Sequence, residues 1–223
     1  MMSIAKRVIF TGLAVLALFV VVVTGYYTVE VIKARQATPS IVQTALQSEL
    51  IVLDVGDLSQ RQIDILLAVE DPNFYHHRGW DFSTSGAGMT TITQGLVKIH
   101  YFDHYRQGLP KIRQTLIARF ALDPLVSKED QLLLFINEAH LGQVEGREVL
   151  GFAAASQAYF GKAFSELIEE EYLGLVAMLA GPGRFNVRYR PEANEERVRR
   201  VSRLVAGECT PNGWMDWLLE GCE

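Results

Sequence analysis

One short stretch of the 223-residue chain concentrates the side chains that could carry chemistry. Two adjacent carboxylates, Glu70 and Asp71, end an apolar segment and are followed by a proline, aromatic residues and two imidazoles, His76 and His77. A carboxyl group partly buried at such a rim has a raised pKa and can accept a proton from a hydroxyl group. The pattern therefore indicates a general base, although solvated charges at a helix end have the same composition.

The spacing within this stretch matches a known sequence motif. Its pattern, Glu-Asp-x-x-Phe-x-x-His-x-Gly-x-Asp, resembles the first motif of the peptidoglycan glycosyltransferases, glycosyltransferase family 51, which polymerise lipid II outside the bacterial membrane. The six matching positions, which follow one another without a gap, are Glu70, Asp71, Phe74, His77, Gly79 and Asp81.

Further motifs of the same family follow in the same order, and together they cover residues 66–205. Residues 88–98 resemble the second motif, Gly-Gly-Ser-Thr-Ile-Thr-Gln-Gln-Leu-x-Lys. The later matches are residues 137–142, residues 158–162, and residues 179–182 with Pro191 and Arg197.

The resemblance implies a lysozyme-like, mainly α-helical glycosyltransferase domain in which Glu70 is the catalytic general base. The second motif would lie near the donor and its phosphates. Short hydroxyl side chains beside a helix N-terminus suit an anion, although they also form ordinary helix caps. The substrate-binding residues that the resemblance implies are Asp71, Phe74, His77, Thr90, Thr91, Thr93, Gln94, Lys98, Lys111, Arg113 and Asn137.

Two departures from the family pattern concern the donor side. The third motif, Arg-Lys-x-x-Glu, corresponds to Lys111, Ile112 and Thr115, so threonine replaces the family's second glutamate. Arg113 is the cation that could substitute for the lost lysine. Only residues 82–87 separate the first two motifs, whereas typical members have a longer segment there. An open donor side would weaken contacts with phosphate, because water screens charges. The departures therefore concern donor binding more than acceptor activation.

An apolar segment near the N-terminus predicts a membrane anchor. Residues 8–25 carry no charge, and with Tyr26 and Tyr27 they are long enough, at ~1.5 Å per residue, to cross a hydrocarbon core of ~30 Å. A signal peptide has a shorter apolar region and a small-residue cleavage site, whereas this run ends in an interfacial aromatic pair. We therefore predict an uncleaved single span of the cytoplasmic (inner) membrane, with Lys6 and Arg7 inside and the domain facing the periplasm or cell exterior.

Periodicity divides the remaining chain into mostly helical segments, with few convincing strands. The predicted parts are residues 1–29 as cytoplasmic stub and anchor, residues 30–49 as a linker, residues 50–206 as the glycosyltransferase-like domain, and residues 207–223 as a C-terminal tail. The linker lacks a clear period and contains Thr-Pro-Ser. The arginines of the last predicted helix, residues 191–206, predict a solvated face; they are Arg197, Arg199, Arg200 and Arg203. Cys209 and Cys222 are predicted to form a disulfide in an extracytoplasmic tail.

The composition excludes other classes of protein. The formal net charge of −5 is opposite in sign to the basic face that nucleic-acid binding requires, so no nucleic-acid partner is predicted. His100 and His104 have metal-ligand spacing, but no further ligand is evident, so no metal site is predicted. No cofactor is predicted with certainty, although the resemblance allows a divalent cation near the donor pyrophosphate.

The sequence allows three functions. The leading hypothesis is a transferase that polymerises lipid II into glycan strands at the outer face of the cytoplasmic membrane, with other wall-synthesis proteins as further partners. The alternative is a catalytically weakened member that binds lipid-linked precursor or glycan as an accessory factor, because Thr115 and the short segment change the donor side. A weaker third is a lysozyme-like hydrolase, which usually needs a second carboxylate.

Overall fold

A computed structural model describes residues 4–86, 90–104 and 108–223. In this part the chain forms eight α-helices and one antiparallel hairpin, so the mainly α-helical class is confirmed. The helices are α1 (Ile4–Leu46), α2 (Gln60–Glu70), α3 (Ile92–His100), α4 (Leu109–Ile117), α5 (Lys128–Glu138), α6 (Phe152–Phe160), α7 (Glu169–Leu179) and α8 (Pro191–Val205). The strands are β1 (His140–Val144) and β2 (Arg147–Leu150). Residues 87–89, within or beside the second-motif match, lie outside the described part.

The first helix contains the apolar anchor segment. It has 43 residues, or about 65 Å at 1.5 Å per residue, and it is long and apolar enough to cross a membrane. Between Ile9 and Val22 its large apolar side chains are more than half exposed. Such a surface suits a hydrocarbon environment.

The predicted linker over residues 30–49 is wrong in its conformation, because α1 continues to Leu46. Ala34, Thr38 and Ala45 are buried on one face of the helix, where they pack against the domain. Their spacing is helical, but two alanines and a threonine make a weak apolar signal. Pro39 is exposed on another face, so its ring does not disturb this packing.

Polar contacts fix the C-terminal half of α1 to the domain. Arg35 Nη1 donates a 2.5 Å hydrogen bond to the carbonyl of Phe120, which lies in a π-helical turn after α4. The Tyr101 hydroxyl donates to Thr38 Oγ1 at 2.7 Å, since that threonine itself donates to the carbonyl of Ala34. The anchor and the domain are therefore joined by a packed helix.

The core places α2, α3, α5 and α7 around fully buried apolar side chains. Ile65 on α2, Leu96 on α3 and Leu132 on α5 have no exposed surface. Tyr172 on α7 is also fully buried, and its hydroxyl donates to the carbonyl of Gln62 at 3.0 Å. This core fixes the C-terminal end of α2, where Glu70 lies.

A short hairpin precedes α6. The alanine-rich composition of residues 147–159 predicts one helix, but residues 147–150 form β2 and the helix begins at Phe152. Glu145 and Gly146 both have positive φ, as the two central residues of a type I′ hairpin turn require. Gly151 separates strand and helix, and a Cβ there would lie 2.3 Å from the Asn137 carbonyl oxygen.

The C-terminal residues 207–223 fold back onto α8. The predicted disulfide is confirmed, since the sulfur atoms of Cys209 and Cys222 are 2.00 Å apart. The side chain of Leu219 is buried against the same core. The segment is thus a packed, cross-linked part of the structure.

Candidate active site

A cavity of about 560 Å³ opens between the end of α2, the start of α3 and the C-terminal residues. Its described wall combines apolar, hydroxyl and charged groups. These residues include Val69, Glu70, Thr90, Thr91, Ile92, Lys98, Phe135, Leu179, Arg197, Met215 and Trp217.

Glu70, the predicted general base, is the last residue of α2 and lines this cavity. Burial raises its pKa to about 7, although the positive charge of Arg197 opposes the shift. The neighbouring charge of Asp71 raises the pKa further. A carboxyl group with a pKa near the working pH can accept a proton from a hydroxyl group and is regenerated easily.

Asp71, by contrast, is a structural residue with no exposed surface. The Nε2–H of His77 donates to both of its carboxylate oxygens at 2.9 Å, and the backbone N–H of Ile92 donates to Oδ2 at 2.9 Å. The Nδ1 atom of His77 accepts from the backbone N–H of Gly79 at 3.0 Å, so we assign a neutral ring with its proton on Nε2. This network ties the loop after Glu70 to the start of α3.

The other predicted residues of the first motif are also buried. Phe74 is 1% exposed, with the Lys128 ammonium group 4.5 Å from its ring centroid. Neither Phe74 nor His77 is among the described residues of the cavity wall, and both help to position the loop after Glu70. Their substrate contact stays a prediction. Gly79 is required here because a Cβ would lie 2.6 Å from the carbonyl oxygen of Ala118.

Asp81 organises the short segment between the two motifs. Its carboxylate accepts hydrogen bonds from the backbone N–H and hydroxyl groups of Ser83 and Thr84. Burial alone would raise the pKa of Asp81, but these hydrogen bonds outweigh it and hold the pKa well below its usual range. The segment therefore turns sharply at this residue.

The second-motif residues separate into two groups. Thr90, Thr91 and Lys98 line the cavity, and Thr91 also forms the N-cap of α3, accepting from the backbone N–H of Gln94 at 3.2 Å. Thr93 and Gln94 are buried away from it. The Thr93 hydroxyl donates to Gln131 Oε1 at 2.7 Å.

The third-motif residues also differ from one another. Lys111 Nζ donates to Thr90 Oγ1 at 3.0 Å, and burial, followed by repulsion from Lys98, lowers the pKa of Lys111 to about 8. Arg113 instead pairs with Glu30 on α1, with Nε to Oε2 at 2.8 Å. It therefore serves the contact with the anchor helix, and the expectation that it substitutes for the lost lysine is wrong.

Asn137 is likewise outside the cavity wall. Its Oδ1 accepts from the backbone N–H groups of Val52 and Leu53, both at 2.9 Å. Its Nδ2 donates to the carbonyls of Leu53 and Leu133. All four hydrogen bonds of the carboxamide go to backbone groups, so Asn137 holds residues 52–53 in an extended conformation against α5. Its substrate contact stays a prediction.

Arg197 is a functional candidate that the arginine pattern of the last helix does not reveal, because that pattern predicts a solvated face. The residue is 2% exposed and lines the cavity. Its Nη2 donates to the Trp217 carbonyl at 2.9 Å, whereas Nε and Nη1 have no hydrogen-bond partner in the described part of the chain. Burial lowers the pKa of Arg197 to about 10, a shift that Glu70 opposes. The match to the closing segment was the available signal.

The site combines one base with a group of cations. Glu70 is the only carboxylate among the described residues of the wall, and Lys98, Lys111 and Arg197 lie at or beside it. This set can deprotonate a hydroxyl group and bind an anionic group. It does not supply the pair of carboxylates that glycoside hydrolysis uses.

Comparison with known proteins supports the same interpretation. A family model described as Transglycosylase matches residues 38–206. Penicillin-binding protein 1B of Escherichia coli (strain K12) is 33% identical over 156 residues, covering 64% of this chain and 18% of the relative. Penicillin-binding protein 1A of Haemophilus influenzae is 32% identical over 169 residues, covering 70% and 19%.

A third relative, penicillin-binding protein 1B of Buchnera aphidicola subsp. Acyrthosiphon pisum, is 36% identical over 156 residues, covering 64% of this chain and 20% of the relative. The chain thus spans about a fifth of the length of the curated relatives it matches. The family match covers most of the chain, including the last residues of α1 and every wall residue named above except Met215 and Trp217. The chain belongs to the Transglycosylase family, the peptidoglycan glycosyltransferases.

Proposed function

We propose that this chain polymerises lipid II into glycan strands at the outer face of the cytoplasmic membrane, with Glu70 as the general base. The observation that carries the proposal is the Glu70 carboxyl group, which has a pKa of about 7. It lies in a cavity whose wall also includes Lys98 and the hydroxyl groups of Thr90 and Thr91. The family match supports the reaction class.

The proposed chemistry is a transfer between two lipid-linked saccharides. The Glu70 carboxylate takes the proton of the acceptor sugar's 4-hydroxyl group as that oxygen forms a bond to the donor's anomeric carbon. The bond from this carbon to the lipid pyrophosphate breaks, and the pyrophosphate leaves with the electron pair. In this proposal Lys98 and Lys111 stabilise the negative charge of the leaving pyrophosphate.

The membrane location is part of the proposal. The apolar half of α1 supports a single span, and the basic pair Lys6 and Arg7 at its start supports a cytoplasmic N-terminus. The cavity would then face the periplasm or the cell exterior, where lipid-linked precursor and nascent glycan are its partners. Further wall-synthesis proteins remain predicted partners.

The donor side does not fit a divalent cation. Thr115 stands where the family has glutamate, and the nearby groups are the Gln94 carboxamide and the cations Lys98 and Lys111. Mg²⁺ prefers carboxylate ligands, and no group of three or more potential ligands from His, Cys, Asp and Glu is found in the described residues. We therefore derive no step through a metal ion and propose that lysines carry out charge neutralisation.

A second candidate function rests on Thr115. Without the second glutamate, the chain could retain the cavity and bind lipid-linked precursor or glycan with little turnover, as an accessory factor in wall synthesis. This alternative is favoured specifically by the single carboxylate in the described wall.

The test uses purified full-length protein in detergent with labelled lipid II. We expect glycan polymer from the wild type and from Glu129→Gln, a matched change at an exposed glutamate, but not from Glu70→Gln. Circular dichroism melting confirms that all three are folded. A folded wild type that binds lipid II without forming polymer would contradict the transferase proposal and support the accessory function.

A further inference from the structure

The segment closed by the disulfide, residues 209–222 (the C-terminal loop), has a defined internal fold. The Asp216 carboxylate accepts hydrogen bonds from the backbone N–H groups of Asn212, Glu220 and Gly221, at 2.7 to 2.9 Å. A side chain that holds three N–H groups from two parts of a loop fixes its backbone. The C-terminal loop is therefore ordered by its own residues as well as by its cross-link.

Three arginines of α8 attach this loop to the domain. Arg197, Arg200 and Arg203 lie three residues apart, on one side of the helix. They donate to the carbonyls of Trp217, Leu218 and Cys222 at 2.9, 3.2 and 3.0 Å, respectively. The predicted solvated face is therefore wrong for these residues, because their guanidinium groups satisfy backbone carbonyls of the C-terminal loop.

The other side of the loop holds the short segment that follows the first motif. The backbone N–H of Gly86 donates to the carbonyl of Gly213 at 3.0 Å, and the Trp214 and Phe82 rings meet edge to face with centroids 6.2 Å apart. A Cβ on Gly86 would lie 2.7 Å from the ring of Pro211. The loop therefore encloses the side of the site where the connecting segment is short.

Two side chains of the loop, Met215 and Trp217, complete the cavity wall that contains Glu70 and Arg197. Trp217 is 43% exposed, although Arg197 holds its backbone carbonyl. An indole group combines a large apolar surface with one hydrogen-bond donor, so it suits the C–H face and hydroxyl edge of a sugar ring. Its attachment to a fixed backbone reduces the entropy lost on binding.

We propose that the C-terminal loop is a wall of the saccharide-binding site and that Trp217 contacts a sugar ring of the bound substrate. This inference rests on the proposed function and adds a specificity-determining residue outside the region that the family model matches. Met215 supplies the adjacent apolar contact.

The test compares two tryptophans of the same loop in the Glu70→Gln background, where turnover is absent. Trp217→Ala removes the indole group from the cavity wall, and Trp214→Ala makes the identical change three residues away, outside the described wall. The probe is a fluorescent lipid II analogue with a shortened polyprenyl chain, and its affinity is measured by anisotropy. Mass mapping without reduction verifies that the disulfide is intact in each variant.

We expect Trp217→Ala to weaken probe binding about tenfold and Trp214→Ala by less than threefold, with partial recovery in Trp217→Phe. Equal affinities of the two alanine variants would overturn the inference while the proposed function stands. A Glu70→Gln parent that does not bind the probe would instead contradict the proposed function and, with it, this inference.

Discussion

The Gln94 carboxamide donates a 2.8 Å hydrogen bond to the hydroxyl group of Thr115, which in turn donates to the carbonyl of Lys111 at 2.9 Å. Both hydrogen-bonding roles of the Thr115 hydroxyl group, acceptor and donor, are therefore used, at the position where the sequence resemblance predicts the family's second glutamate. The replacement connects α3 to α4 and leaves a neutral group on the donor side.

Replacing Thr115 tests whether this position limits activity. Thr115→Val keeps the shape but leaves the buried Gln94 amide without its acceptor, so we expect a loss of about 1–3 kcal/mol in the free energy of unfolding. Thr115→Glu supplies a carboxylate that can accept the same bond. If the missing glutamate limits turnover, Thr115→Glu raises the rate of lipid II polymerisation, measured by gel analysis of glycan. A rate that does not rise in a folded Thr115→Glu variant would show that this residue is not limiting.

The network around Asp71 gives a prediction for stability. In Asp71→Asn the side-chain NH₂ group cannot accept from His77 and Ile92 as the carboxylate does, so we expect a loss of about 2 kcal/mol, measured by guanidinium unfolding. Asp64→Asn, at an exposed position on α2, is the matched control and should change stability by less than ~0.5 kcal/mol. Equal stabilities of the two variants would exclude the structural role of Asp71.

Local sequence signals predicted several parts of this molecule. The segment Ser127-Lys-Glu-Asp130 has the pattern of a helix start, and Ser127 does cap α5, accepting from the backbone N–H of Asp130 at 3.0 Å. The carboxylate of Glu70 was predicted by its neighbours in sequence, and it lines the cavity. These features depend on residues close together in the chain.

The features that were not predicted depend on contacts distant in sequence. The burial of Arg197 required the C-terminal loop to fold back across α8, and neither helical period nor charge pattern carries that information. Asn137 lies in a recognisable motif, but its use depends on residues 52–53, about 85 positions earlier. The sequence therefore identifies candidate site residues. It does not distinguish residues that line the cavity from residues that hold the surrounding backbone in place.

The disulfide is expected to contribute measurably to stability. Closing a loop with a sequence separation of 13 restricts the unfolded chain, and the chain-entropy estimate is about 3 kcal/mol. The variant Cys209→Ser with Cys222→Ser should therefore melt ~6–12 °C below the oxidised wild type, and reduced wild type should match it. A double variant that melts at the wild-type temperature would contradict this contribution.

The shifted pKa values of Glu70 and Lys111 predict a pH profile for transfer. Glu70 must be deprotonated to act as a base, so the rate should rise with pH through about 7. Lys111 must be protonated to hold an anionic leaving group, so the rate should fall again above about 8. In Lys111→Arg, whose guanidinium keeps its proton, the alkaline decline should disappear below pH 9. Initial rates with labelled lipid II between pH 5 and 9 test this. An alkaline decline that persists in Lys111→Arg would assign it to another group.

The raised pKa of Glu70 also makes folding stability depend on pH. Its ordinary pKa of 4.5 applies to the unfolded chain, and about 7 to the folded chain. The folded chain thus binds the proton more tightly, and this contribution is fully present below pH 4.5 and is lost as the pH rises through 7. The difference corresponds to at most about 3 kcal/mol, and less in an open cavity where solvent screens the charge.

Glu70→Gln removes this titration, because its side chain stays neutral. We therefore expect the unfolding free energy of Glu70→Gln to exceed that of the wild type by about 2 kcal/mol more at pH 8 than at pH 4.5. Guanidinium unfolding at both values measures the difference, and Glu129→Gln, at an exposed position, should show a much smaller change. If the difference between Glu70→Gln and wild type is the same at both pH values, Glu70 titrates normally in the folded chain, and its assignment as a neutral-pH base loses its physical basis.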